Sequence, residues 1–338
     1  MNFPEITSLA PLKFTPVYQE RIWGGTLMGE LLKRETPAGV KTGEAWEISD
    51  RPGADSVVSE GELEGATLSQ LVARYGRSLI GSKALEADRF PLLIKLIDAG
   101  ERLSLQVHPD EQMCRQFADG AEPKTEMWYV IAARKGARIM AGLSSKATRL
   151  QFMELVNSPE IEQLLQCHRS VPGDAYFINA GLLHAIGGGN LLLEIQQNSD
   201  TTYRLSDWGR VDSEGKSREL HLEKGLAATD FFNRNTPRIP GVTGNTGFNR
   251  KYQLVSKSQY FRVSELRVVT PWRDDTAPDG SFHILTAING RIAVMKDGEE
   301  DLRCELEIGR SCLLPAAFGR YRIEPMDDGE TTVLKTTL

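Results

Sequence analysis

Apolar positions along this chain fall in short continuous or alternating runs more often than at helical spacing. The segments 44–49, 89–97, 127–132, 175–178 and 191–197 are apolar or β-rich and are bounded by Gly, Pro, Asn or Asp, which predicts strands. Helical periodicity is confined to inserts. In 67–75, Leu68, Leu71 and Val72 share one face; a second insert spans 148–156 and is followed by Ser158-Pro159, a cap residue and then proline at the first helical position. The regular strand–helix alternation of a parallel α/β sheet is missing. The pattern predicts a mainly β protein, barrel or sandwich, with helical excursions.

Segment 231–249, with Pro237, Pro240, Gly241, Gly244 and Gly247 and little apolar content, reads as a linker. Beyond it, 252–338 is strand-like again, with turn signals at 278–280, 289–290, 297–298 and 328–329, where Asn-Gly and Asp-Gly predict hairpins. The expected organisation is a first domain over 1–235 with helical inserts, a linker over 236–250 and a second β domain over 251–338. A weak internal repeat agrees with this. Gly173-Asp-Ala-Tyr-Phe-Ile-Asn-Ala-Gly-Leu-Leu-His184 aligns without gaps to Gly309-Arg-Ser-Cys-Leu-Leu-Pro-Ala-Ala-Phe-Gly-Arg320. Because His184 becomes Arg320, metal chemistry is expected in the first copy alone.

Composition narrows the function. A length of 338 residues suits about two domains, and 40% hydrophobic with 25% charged residues excludes a disordered chain. A net charge of −6 without a basic block argues against nucleic acid as a partner. The richest apolar stretches, 91–94 and 191–195, are interrupted by Lys95 and Glu194, far short of a spanning helix. The start, Met1-Asn2-Phe3-Pro4-Glu5, carries no signal-peptide pattern, and Cys114, Cys167, Cys304 and Cys312 form no Cys-x-x-Cys pair, so free thiols and a cytoplasmic setting are expected.

Three histidine-bearing segments compete for chemistry: 106–108, the surroundings of His168, and 183–185. On a strand, Gln106 and His108 share one face, and Glu126 heads the apolar run 127–132. Two histidines, a carboxylate and an amide oxygen suit a zinc site with room for water or substrate, although two histidines and a carboxylate also describe a non-haem iron triad. Gly187-Gly-Gly189-Asn190 lacks the strand-to-helix setting of a phosphate loop and reads as a hairpin turn. His221 and His283 have no accompanying ligands.

The residues also resemble a known pattern. Gly100, five residues, then Gln106-x-His108 is similar to the first cupin motif, and Gly173 through Asn179-Ala-Gly181 to His184 is similar to the second. Leu103-Ser-Leu-Gln-Val-His-Pro-Asp110, Lys124-Thr-Glu-Met-Trp-Tyr129 and Gln197-Asn-Ser-Asp-Thr-Thr-Tyr-Arg204 together resemble type I mannose-6-phosphate isomerases of the short bacterial form. Trp23-Gly-Gly25, Gly43-Glu-Ala-Trp-Glu-Ile-Ser49 and Phe90-Pro-Leu-Leu-Ile-Lys-Leu-Ile97 fit as well, so the likeness covers essentially the whole chain. Lys124-Thr125-Glu126 stands where longer members have Lys-Pro-Glu. The resemblance implies two cupin-like jelly-roll barrels, one zinc ion per chain on Gln106, His108, Glu126 and His184, and a catalytic arginine at Arg204.

An aldose–ketose isomerase also needs a proton carrier, for which Glu194 and Lys124 are rival candidates, and contacts to a sugar phosphate, for which Lys95, Ser104 and Asp200 are candidates. Asp200 also fits a turn role, or a partner to Arg204. The expected partner is a small sugar phosphate, with no nucleic acid or membrane, for a monomer or homodimer. The competing readings are a non-haem iron oxygenase and a sugar-phosphate-binding regulator without catalysis. Gln106 as a fourth ligand and the cations disfavour the first; the intact set Gln106, His108, Glu126, His184 and Arg204 disfavours the second.

Overall fold

The computed structural model describes residues 3–84, 88–211, 214–242, 244 and 247–338. The architecture is mainly β, as expected, built from antiparallel sheets with small helical inserts. Contacts divide the chain into two compact units that interleave along the sequence. A central unit holds Tyr18–Ala45 and Lys95–Val242; a C-terminal unit holds Met1–Val17, Trp46–Ile94 and Thr243–Leu338. Segment 46–94 clusters with the C-terminal strands rather than with the residues that flank it in sequence. Pairings such as Leu12 with Leu313 tie these distant segments together, and they leave no local trace in sequence.

A larger sheet has the order Arg238–Ile239, Ala175–Ile178, Glu126–Ala133, Asn190–Gln197, Leu92–Ala99, Thr42–Ile48 and Val17–Glu20. A smaller sheet has the order Tyr203–Ser206, Leu105–Val107, His184–Ile186, Arg138–Leu143 and Leu165–Arg169. Ile97, Trp128 and Leu192 of the larger sheet meet Ile139, Ala141 and Ile186 of the smaller one in a shared core. The other face of the smaller sheet, with Leu105, Val107, Tyr203 and Leu205, is covered by Phe152, Val156 and Ile161 of the helical inserts.

This two-faced burial fixes every register choice, because a one-residue slip would exchange the two faces. Since Leu105 and Val107 face the helices, Gln106 must face the core; since Ala185 faces the helices, His184 faces the core; since Tyr203 and Leu205 face the helices, so does Arg204 face inward. The larger sheet obeys the same period. Ala99, Ile97 and Lys95 share a face, as do Val130, Trp128 and Glu126, and Leu192, Glu194 and Gln196. On each strand the inward row runs from apolar to polar, so the polar ends gather at one end of the sandwich.

The helical inserts form as read. Thr67 and Gln70 make a capping box at Leu68–Tyr75, Thr148 and Gln151 another at Arg149–Leu155, and Ser158 caps the short 3-10 helix Pro159–Leu164. Leu27–Leu32, Glu111–Phe117 and Leu222–Ala228 are further helices, each too short to show a clear period. Among the described residues no helix is long and apolar enough to cross a membrane. All four cysteines are free, with Cys304 and Cys312 buried and Cys167 exposed.

The C-terminal unit stacks two sheets whose inner faces meet through Leu285, Cys312 and Val333 on one side and Val294, Cys304 and Ile323 on the other. The repeat is structural: Ala175–Ile178 then His184–Ile186 corresponds to Ser311–Leu314 then Arg320–Pro325, each pair leaving one sheet for the other. Several expected hairpins are instead crossings between sheets. Only the Asp297-Gly298 signal joins directly paired strands; Asn289-Gly290 and Asp328-Gly329 carry the chain from one sheet to the other. Gly187-Gly-Gly189 does the same between His184–Ile186 and Asn190–Gln197, so the hairpin reading is corrected. The glycines are needed for close approach: a Cβ at Gly187 would lie 2.5 Å from the Arg138 carbonyl oxygen.

Candidate metal centre and active-site cleft

His108, Glu126 and His184 converge at the polar end of the central sandwich, with one donor atom of each within 4.8 Å of the others. All three are buried, Glu126 and His184 completely. His108 follows directly on the Leu105–Val107 strand, and Glu126 opens its own strand. Glu126 lies 3.4 Å from each histidine, Oε2 facing His108 Nε2 and Oε1 facing His184 Nε2. Gln106 Nε2 lies 3.1 Å from His184 Nε2, which adds the amide to the group.

The histidines are held for coordination. His108 Nδ1 donates to the Thr201 carbonyl and His184 Nδ1 to the Leu182 carbonyl, each at 2.8 Å, so both Nε2 lone pairs face the centre. Burial, reinforced by the Lys124 charge, lowers the His108 pKa to about 3, and burial also lowers that of His184. Both imidazoles are therefore neutral at physiological pH. For Glu126, burial opposes ionisation, but Lys124 and the two imidazoles outweigh it and hold the carboxyl well below the ordinary range. His108 Nε2 and both Glu126 oxygens are buried without hydrogen-bond partners, while Lys124 Nζ stands 2.8 Å from Oε2 at ion-pair distance. Unpaired buried donors of this kind are costly unless an ion satisfies them, so the residues fit a bound cation.

Beside this cluster lies a cleft of about 300 Å³. Gln106, Lys124, Glu194, Lys95, Ser104, Asp200 and Arg204 all line it, so the sequence-predicted residues come together. Glu194 is held from three sides: Trp128 Nε1 donates to Oε2 at 2.8 Å, and Lys95 and Lys124 lie 3.3 and 3.9 Å from Oε1. Burial raises its pKa, helped by the Glu126 charge and opposed by the lysines. Burial would discharge Lys124, but Glu126 and Glu194 raise its pKa and keep it an ammonium. Arg204 Nη1 donates to the Glu219 carbonyl at 2.8 Å, and Asp200 acts electrostatically on Lys124.

Other histidines lie elsewhere. His168 sits on the Leu165–Arg169 strand beside Tyr176, His221 Nδ1 accepts from the Arg204 backbone N–H, and buried His283 is engaged by Tyr321 and Asp279 at 2.8 Å each. Sequence reasoning did not single out Arg21, Glu44 and Arg218, which also line the cleft. Glu44 carried a signal like that of Lys95, a charge inside a buried strand; Arg218, in a loop, carried none.

A neutral-histidine and carboxylate cluster beside a cleft lined by charged residues, on stacked β-sheets, marks a cupin-type protein with a candidate metal centre. The model of the type I phosphomannose isomerase catalytic domain matches residues 12–141, and that of the mannose-6-phosphate isomerase cupin domain matches residues 250–333. Mannose-6-phosphate isomerase ManA of Bacillus subtilis is 43% identical over 230 residues, 68% of this chain and 70% of that protein. YvyI of the same organism is 36% identical over 318 residues, 93% of this chain and 96% of that protein. The crystal structure of the mannose 6-phosphate isomerase from Bacillus subtilis superposes with a TM-score of 0.80 at 32% identity, covering 97% of this chain and all of that one. The chain belongs to the type I mannose-6-phosphate isomerase family and is an isomerase; the oxygenase and regulator readings fall away.

Proposed function

We propose that the protein interconverts mannose 6-phosphate and fructose 6-phosphate by moving a proton between C1 and C2 through an enediol(ate), with one zinc ion held by Gln106, His108, Glu126 and His184. The observation that carries this is the convergence of buried histidine and glutamate ligand atoms beside a cleft lined by Lys95, Lys124, Glu194 and Arg204. A nitrogen- and oxygen-donor set without thiolate suits zinc. When bound, zinc supplies a fixed positive charge near the sugar oxygens that gain negative charge, without redox activity.

The chain's own residues do the rest. Glu194 takes the carbon-bound proton and returns it at the neighbouring carbon; its raised pKa brings a carboxylate closer to the working pH, which favours transfer in both directions. Trp128 and Lys95 fix its two oxygens. Lys124, kept protonated between Glu126 and Glu194, donates to a sugar oxygen. Arg204 holds a charge toward the enediolate that survives at any working pH. Ser104 and Asp200 orient hydroxyls of the sugar, and Lys95 adds a cation to the same wall. The enzyme acts in the cytoplasm on a small metabolite, not on nucleic acid or membrane, as a monomer or homodimer, and its C-terminal domain binds no metal.

Isomerisation run to equilibrium in deuterated water tests the proton-transfer step. Over many turnovers the proton held on Glu194 exchanges with solvent before its return, so deuterium should enter the sugar phosphate at C1 or C2. A sugar phosphate that interconverts fully yet gains no deuterium would contradict an enediol route.

A further inference from the structure

Charge is unevenly distributed along the cleft. At one end each cation faces a carboxylate: Lys95 lies 3.3 Å from Glu194, Lys124 2.8 Å from Glu126, and Arg21 binds Glu44 through two contacts of 3.1 Å. The other end has a surplus. Arg210 and Arg218 both bind the single carboxylate of Asp207, which is 6% exposed, and Arg204 feels the charges of all three. Arg204 itself makes no ion pair among the described residues, and its Nε is buried without a partner. Among the described residues the guanidinium groups of Arg204, Arg210 and Arg218 gather around the buried Asp207 carboxylate, with the exposed Glu219 acting on Arg204 from outside, so a positive surplus remains that suits a phosphate monoester.

The surplus is built into the fold. Arg218 grips Asp207 with two atoms, Nε to Oδ2 at 2.9 Å and Nη2 to Oδ1, a fork that aims the guanidinium plane. The turn that carries Asp207 is strained: Trp208 has φ of 60°, a left-handed conformation that a bulky side chain rarely adopts. It is held there by Trp208 Nε1 donating to the Leu103 carbonyl at 2.7 Å, by Arg102 over the indole at 4.0 Å, and by Arg210 Nη1 donating to the Arg102 carbonyl at 2.5 Å. Arg102 and Leu103 lead directly into the strand of Gln106, and Arg204 pairs with Gln106 in register. The arginine cluster is thereby fixed relative to the metal-ligand strand.

We propose that Arg218, aimed by Asp207, is the residue that recognises the substrate's phosphate, at the arginine-rich end of the cleft. The assignment deepens the isomerase reading and depends on it only for what carries the phosphate. It separates two arginines by role: Arg218 supplies affinity for the dianion, and Arg204 supplies charge in the transition state.

The test combines calorimetry of inorganic phosphate binding to the full-length metal-loaded protein with steady-state kinetics on mannose 6-phosphate. Arg218→Ala should weaken phosphate binding at least tenfold and raise KM at least tenfold, with kcat changed less than threefold. Arg218→Lys, which keeps the charge and loses the fork, should raise KM about threefold and decides the matter if the alanine variant fails to fold. Unchanged phosphate affinity and KM in both variants, or a loss confined to kcat, would overturn the proposal. A wild-type protein inactive on mannose 6-phosphate would sink the isomerase reading; tenfold weaker phosphate binding by Arg218→Ala would still uphold the anion site.

Discussion

His184 stands directly opposite Gln106 across an antiparallel pair, and the two side chains meet at 3.1 Å. Arg204 flanks Gln106 on the other side, so one row across three strands carries two proposed metal ligands and the proposed charge for the transition state. Removing His184 strips the row of a neutral imidazole whose orientation is already fixed by the Leu182 carbonyl. His184→Ala should lose metal and activity together. Elemental analysis should then find no metal on the chain, because His283 is occupied by Tyr321 and Asp279 and Arg320 replaces the histidine in the second repeat. Full zinc content with normal turnover would eliminate the site.

Arg204→Ala should lower kcat roughly a hundredfold or more, the usual cost of losing a charge partner to a developing oxyanion. Asp207 is already bound by Arg210 and Arg218, so Arg204 is not merely its surface partner. Melting temperature and zinc content should barely change. A variant whose KM alone rises would move Arg204 to substrate binding.

Trp128→Phe removes the indole donor from Glu194 and keeps an aromatic ring in the core, with a small cavity left by the lost ring. Burial already raises the Glu194 pKa, and loss of a hydrogen bond to the charged form should raise it further. Catalysis requires the ionised form, so the acidic limb of the kcat profile should move to higher pH, with the largest loss on the acid side. An unmoved acidic limb would show that Glu194 is not the base.

How much of this was legible can be judged residue by residue. Strand runs such as 175–178 and the capping signals at Thr148 and Ser158 are local, and each appears where its chemistry places it. Gln106, His108, Glu126 and His184 were readable because polar residues inside apolar strands need a purpose. The membership of 46–94 in the C-terminal unit was not readable, since strand pairing over hundreds of residues leaves no periodicity. Turn residues at 289–290 and 328–329 were recognised as turns, yet whether a turn closes a hairpin or crosses to the opposite sheet depends on the partner strand. Arg218 owes its place to Asp207 and a strained turn, contacts that only the folded chain defines.

Asp98 gives a stability prediction independent of catalysis. Its carboxylate is 1% exposed, caps the Leu27–Leu32 helix through the Met28 N–H at 2.6 Å, and has its pKa raised by burial from 3.8 to about 6. Between those values the folded chain holds a proton that the unfolded chain has released, so stability falls as pH rises through the window. Above about pH 6 the penalty is complete, up to about 3 kcal/mol at ~1.4 kcal/mol per unit. Asp98→Asn keeps an acceptor for the helix and has no charge to bury. Urea titrations should find it more stable than wild type at pH 8, with the advantage gone near pH 4. Equal stability at both pH values would contradict the assignment.

The most direct measurement is a coupled assay on mannose 6-phosphate and fructose 6-phosphate, before and after chelation, with metal content verified at each stage. The metal-free chain should be inactive in both directions and recover with one equivalent of zinc per chain. Turnover that survives verified metal removal would contradict the account.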